Sequence, residues 1–279
     1  MGRFVNNGPN ILLIVEGDTI ETAFFRAISS AFGIKARVVP YRTNIYKLYD
    51  ALKQTGFNAN VCGILKESAE EKDKGLFDEK YAAIYLIYDA DFQHCDKGEN
   101  ALTIDQRIEK NLPRLEEMAA YFINETDDGV GKLFINYPMM EAYRDCDCFF
   151  EDVYRDRNVP IDVLMHDGYK SVVSHRRVNG KAVRQLTEGD FRDIVRCALY
   201  KYSFIIGMGW SALPYLDFIK NLFPSILLDF EKKGLLDSRI VRVINSSVLF
   251  VLDYKGNKDD FYNKLANMAS PNAEGEGEE

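Results

Sequence analysis

Among its 279 residues the chain has a single tryptophan, three histidines and five cysteines. His94, His166 and His175 have no partners at ligand spacing, so there is no His-rich metal motif and each is at most a lone candidate for proton transfer or ligation. Cys62, Cys95, Cys146, Cys148 and Cys197 include no CxxC pair. That excludes a zinc ribbon and fits reduced thiols in the cytoplasm. No apolar run reaches the roughly 18 residues of a membrane span. The opening residues, with the turn-forming Asn6-Asn7-Gly8-Pro9-Asn10, lack a signal-peptide pattern. There is no GxxxxGK[ST] phosphate loop. Positive charge is in deficit, with 35 basic against 43 acidic residues and a formal net charge of −8. A uniformly basic nucleic-acid surface is thereby excluded, though a local basic patch is not. The expectation is a soluble cytoplasmic protein with an ordinary core, since 47% of residues are hydrophobic and 28% charged.

Two apolar runs of strand length end in carboxylate: Ile11 to Val15 followed by Glu16-Gly17, and Ala82 to Tyr88 followed by Asp89-Ala90-Asp91. An ionised carboxylate is costly to bury unless it is paired or bound to metal. Ligands of open α/β sheets bind beyond the carboxyl ends of the strands. Glu16, Asp89 and Asp91 therefore predict one oxygen-rich site suited to magnesium or manganese. Asp89 and Asp91, two residues apart, project to one side if the backbone stays extended. Gly17 permits a tight turn into the next helix.

The first half alternates strand and helix, which predicts a parallel sheet with helices on its faces. Ile20, Ala23, Phe24, Ala27, Ile28, Ala31 and Phe32 form one apolar helical face, Asp18 with Glu21 has capping-box spacing, which ranks a metal role for Glu21 through water second, and Gly33 ends the helix. A short strand is expected over Lys35–Val39, a helix over Asn44–Thr55 and another strand over Val61–Leu65. Lys66–Lys80 reads as a solvated loop or short helix. Thr103–Phe122 has helical periodicity, with Pro113 expected to kink or split it. Leu133–Ile135 is a last short strand, and Pro138 sits where a helix can begin. Beyond about residue 150 the chain turns mostly helical, with Asp190–Phe204, Leu213–Phe223, Ser225–Lys233 and Lys258–Met268 as helices and Val241–Leu252 open between strand and buried helix. The division expected is a catalytic region over 1–148, a mostly helical region over 149–270 and an acidic disordered tail over 271–279.

A strand ending in Glu-Gly followed by a later strand ending in Asp-x-Asp resembles the Toprim domain of topoisomerases, bacterial primases and the overcoming-lysogenization-defect nucleases. The resemblance covers roughly residues 10 to 145. It implies an α/β, Toprim-like parallel sheet in which Glu16 is the general acid or base and Asp89 and Asp91 hold Mg2+ or Mn2+. Phe134-Ile-Asn136-Tyr-Pro138-Met-Met-Glu141 is similar to the Asn-Pro-x-x-Glu element of stand-alone, RloB-like Toprim proteins of bacterial defence loci, with a tyrosine inserted between Asn136 and Pro138. Glu141 is then either a further site carboxylate or a helix N-terminal acid favoured by the dipole, and Asn136 either a site hydrogen bonder or the helix cap. The resemblance implies a metal-dependent nuclease acting on DNA or RNA, a toxic effector of phage defence. Since this chain has no phosphate loop, an ABC-type ATPase would be a separate partner protein.

Residues 170 to 196 hold Lys170, Arg176, Arg177, Lys181, Arg184, Arg192 and Arg196 against Glu188, Asp190 and Asp193. This local positive excess is either a phosphate-contacting segment, with Arg176, Arg177, Lys181 and Arg184 as contacts, or a solvated charged loop. Trp210 is expected to pack rather than stack on a base, and the apolar late helices to cover the sheet or form an oligomer or partner surface. Two other classes stay open: a nucleotidyl- or phosphoryl-transfer enzyme on small nucleotides, and an inactive module that binds nucleic acid or a partner.

Overall fold

A computed structural model describes residues 11–58, 61–96, 98, 102–125, 130–146, 151–164, 168–176, 178–258 and 260–267. Its centre is a five-stranded sheet of β1 (Ile11–Val15), β2 (Ala36–Pro40), β3 (Ala83–Asp89), β4 (Ile123–Asn124) and β5 (Gly131–Asn136). The strand order is β2-β1-β3-β5-β4. All neighbours run parallel except the short edge strand β4, which is antiparallel to β5. Every residue of β1 and β5, and all of β3 up to Tyr88, is buried, as expected of strands covered on both faces. A second, two-stranded antiparallel sheet pairs β6 (Asn158–Pro160) with β7 (Ile240–Arg242).

Helices of seven or more residues are numbered here in chain order: α1 (Ile20–Ala31), α2 (Ile45–Gln54), α3 (Val61–Ser68), α4 (Ile104–Tyr121), α5 (Gly168–Ser174), α6 (Glu188–Ile205), α7 (Tyr215–Asn221) and α8 (Pro224–Lys233). The strand expected over Val61–Leu65 is instead the start of α3. Val61, Ile64 and Leu65 are all buried, and their i, i+3, i+4 spacing needs a helix to reach one core face. α4 runs through Pro113 as one element. The stretch Val241–Leu252 divides into the end of β7, a 3-10 turn over Ser246–Leu249 and the beginning of a short helix, Phe250–Lys255. The late helices fall close to the expected spans, the last being Phe261–Ala266.

The two regions share one hydrophobic cluster. Phe24 of α1 packs tilted against Tyr143 at 4.5 Å and meets Phe191 of α6 edge-on at 5.6 Å. Phe250 lies against Phe25 and Tyr85. Lys132 of β5 forms a buried ion pair with Asp253 at 2.6 Å. The buried ammonium of Lys201 on α6 donates to the carbonyls of Tyr154, Arg155 and Arg157 at 3.0, 2.6 and 3.0 Å, which fills its three donors. Trp210 packs edge-on against Tyr154, Tyr200 and Phe204, as expected. Cys62 and Cys95 are half-buried and Cys146 is buried. Cys197 is disulfide-bonded, against the expectation of uniformly reduced cysteines, and Cys148 lies outside the described residues, as does His166. No helix among the described residues is long and apolar enough to cross a membrane.

Candidate active site

From β1 the chain moves outward to β2, then returns across β1 to β3 and continues to β5 on the other side. The order therefore reverses between β1 and β3, and the crevice beyond their carboxyl ends is where such a sheet binds ligands. Glu16 follows the last residue of β1 and Asp89 ends β3. Val15 pairs with Ile87 and Asp89 with Asn136, so the three strand ends lie side by side. The Asp89 amide donates to Glu16 Oε2 at 3.3 Å. Asn136 Nδ2 donates to Asp89 Oδ1 at 3.3 Å, while its own Oδ1 accepts from the Ser247 amide at 3.2 Å. Asn136 is thus fully buried and orients Asp89. It is not a helix cap: the 3-10 turn Met140–Asp145 is entered through Met139.

Asp91 lies past the strand end with φ +38°. Aspartate tolerates this left-handed region better than most residues. The extended-backbone argument for Asp89 and Asp91 therefore does not apply, and the turn brings Asp91 to the cluster by a different route. Its carbonyl accepts from the His94 amide at 2.7 Å and its Oδ1 from Gln93 Nε2 at 3.2 Å. The buried Tyr46 hydroxyl donates to the carbonyl of Ala90, between the two aspartates, at 2.6 Å. His94 stacks on the Tyr46 ring at 5.0 Å.

Glu21 belongs to this cluster. The capping box expected with Asp18 is absent: α1 is entered through Thr19, with no side-chain cap. The Glu21 carboxylate instead lies against Gly17, whose amide hydrogen-bonds it, and a Cβ at Gly17 would collide with it. Its Oε2 is buried without a hydrogen-bond partner among the described residues. Glu141, in the turn after β5, is buried and faces Glu21 and Asp89. Lys170 of α5 stands 3.5 Å from Glu141 Oε1 and is largely exposed.

Crowding of like charge shows in the proton affinities. Glu16 is pushed from 4.5 to about 8, first by desolvation and then by Asp91. Desolvation and then Glu141 raise Glu21 to about 7. Asp89 is raised well above the usual carboxylate range by desolvation, then by Glu16 and Asp91. Lys170 is raised in turn, chiefly by Glu141. Such perturbed groups converging at the carboxyl ends of adjacent strands are a mark of functional sites.

The donor set is all oxygen, desolvated and short of positive charge, which fits a hard divalent cation. Among the described residues, no group of three or more His, Cys, Asp or Glu is arranged to hold a metal ion by itself. Magnesium commonly takes only one or two carboxylates and completes its shell with water and substrate phosphate, so this arrangement still fits it.

The basic segment is more divided than its composition suggests. Arg176 pairs with the buried Asp145, which also accepts from the Tyr169 hydroxyl at 2.9 Å. Lys181 binds both oxygens of Asp190, at 2.9 and 2.8 Å, and Asp190 caps α6 with Thr187. Arg177 lies outside the described residues. Arg184 is exposed on a groove with Arg26 and Arg144. The contribution of Lys170 has no signal beyond its charge, and that of Glu21 ranks second to a cap in the sequence because of its spacing to Asp18. No family model, curated protein or solved structure matches this chain.

Proposed function

We propose that this chain is a Toprim-type phosphodiester hydrolase that uses Mg2+ or Mn2+ to cut DNA or RNA. The observation that carries the reading is the convergence of Glu16, Glu21, Asp89, Asp91 and Glu141 at the β1/β3 switch point, with Glu16 desolvated enough to hold a proton near neutrality and Asp89 pushed well above the usual carboxylate range. Five acids in one crevice repel one another and cost stability in the absence of a cation, so the arrangement favours cation binding over a purely structural role. Asp89 and Asp91, with Glu16 beside them, would hold the metal. When bound, it supplies Lewis-acid polarisation of a phosphoryl oxygen and neutralises developing charge.

Asn136 and Tyr46 fix the two ends of the Asp89–Asp91 turn, Asn136 through the Asp89 carboxylate and Tyr46 through the Ala90 carbonyl. With a proton affinity of about 8, Glu16 can take a proton from water or give one to a leaving oxygen near neutral pH. Lys170 presents a positive charge on the solvent side of the acids, where it can attract a phosphate. The stand-alone Toprim resemblance extends the proposal to an effector in phage defence controlled by a separate ABC-type ATPase.

Purified protein incubated with plasmid, total RNA or nucleoside triphosphates, with and without Mg2+ or Mn2+, tests the reading. Metal-dependent chain cleavage abolished by Glu16→Gln or Asp89→Asn is the expected result. Turnover of the triphosphates alone would favour the small-nucleotide enzyme, and cleavage surviving both substitutions would remove this site from the account.

A further inference from the structure

The apolar face read from the sequence of α1 is only partly used by the core. Phe24, Phe25 and Ile28 are buried, but Ile20 is 46% exposed and Ala23 is also open to solvent. These residues form the floor of a groove of about 600 Å³, closed on the far side by Val183 and flanked by Arg26, Arg144 and Arg184. None of the residues lining it is acidic. Arg26 and Arg184 are exposed and pair with no acidic side chain among the described residues. Arg144 is held by the carbonyls of Ser174 and Arg176 at 3.0 and 3.3 Å, and among the described residues its buried Nε has no hydrogen-bond partner. In a chain of net charge −8, three arginines around one groove are a marked local reversal of sign.

Two elements each supply residues to both the groove and the acid site. α1 carries Glu21 into the carboxylate cluster and Arg26 into the groove, roughly 7 Å further along the helix axis. The 3-10 turn Met140–Asp145 does the same with Glu141 and Arg144. We propose that this groove binds a single strand of nucleic acid by its phosphates and leads it to the carboxylate site. The choice of ligand rests on the phosphodiester chemistry proposed above, whereas the binding surface rests on the arginines. Charge complementarity calls for a polyanion, and arginine suits phosphate oxygens through its planar fork of donors. The apolar floor selects an unpaired strand, whose base faces are free to lie on Ile20, Ala23 and Val183. A duplex offers a surface groove only sugar and phosphate. Recognition of this kind tracks the backbone and is indifferent to sequence.

Fluorescence anisotropy with a labelled single-stranded oligonucleotide, read on the full chain in EDTA, tests this without requiring cleavage. Arg26→Ala/Arg184→Ala is expected to weaken binding on the order of 10- to 30-fold near 0.1 M salt and to make the log–log salt slope shallower by about 1.4, the loss of two phosphate contacts. Lys35→Ala/Arg37→Ala removes the same charge from exposed positions at the amino end of β2 that do not line the groove, and should leave the slope unchanged. Four results would overturn the proposal: unchanged affinity of the groove variant, equal weakening by the control, equal affinity for a duplex of the same length, or displacement by polyglutamate at matched charge. If the arginine effect appears but no preparation cleaves nucleic acid with metal, the groove stands and the hydrolase reading falls.

Discussion

Replacing Glu16 by glutamine removes a charge while keeping the shape and the oxygen that accepts from the Asp89 amide. Its effect on the metal-free protein therefore isolates the cost of an ionised carboxylate at this point in the cluster. Glu16 titrates near 4.5 when unfolded and near 8 in the fold. A folded-state affinity raised in this way favours the native state below the unfolded value, where both forms carry the proton. That advantage is lost as pH rises through the window from about 4.5 to about 8. A rise of this size corresponds to a ceiling on the order of 5 kcal/mol. Asp91 and Glu21 share the repulsion and can relax when Glu16 loses its charge, so the expected gain is smaller. In EDTA the stability difference, Glu16→Gln minus wild type, should be close to zero near pH 4 and reach at least about 1 kcal/mol in favour of the variant near pH 9. Urea denaturation across that range measures it, and taking the difference cancels the titrating groups that are not coupled to Glu16. A variant no more stable than wild type at the alkaline end would refute the electrostatic reasoning.

Three further substitutions probe the surroundings. Lys132→Met leaves Asp253 buried beside β5 without its cation and should destabilise the fold by about 3–5 kcal/mol in urea melts, with Lys132→Met/Asp253→Leu recovering most of the loss. Gly17→Ala places a methyl group against the Glu21 carboxylate, so it should displace Glu21 and lower metal-dependent activity while circular dichroism and melting stay near wild type. Tyr46→Phe removes the bond to the Ala90 carbonyl and should cost about 1 kcal/mol of stability. It should also weaken Mn2+ affinity, whereas equal affinity would deny Tyr46 its positioning role.

Much of the frame was legible because β1, β3 and β5 are apolar runs without alternation, the pattern of a doubly covered strand. The acids at their ends were legible for the same reason, as charges where burial forbids them. The segment at Val61 was misread because Val-Cys-Gly-Ile-Leu has strand composition, and only the surrounding core shows that a helix buries it better. Glu21 was assigned to a cap because Asp18 stands three residues before it. The Gly17 amide and the crevice draw its carboxylate elsewhere, a choice that depends on the turn geometry. Pairing was illegible throughout the basic segment. Arg176 and Lys181 meet buried aspartates, one of them 31 residues away, whereas Arg184 does not, and composition treats them alike.

The central claim is that the acids beyond β1 and β3 form one divalent-cation site. Calorimetric titration of Mn2+ into the purified protein near neutral pH, in buffers of different ionisation enthalpy, tests it most directly. Glu16 and Glu21 carry protons there with affinities of about 8 and about 7, so binding should release protons and give a buffer-dependent enthalpy. Asp89→Asn should abolish binding and Glu16→Gln should reduce the proton count. Absence of Mn2+ binding, or binding that neither substitution alters, would contradict the account.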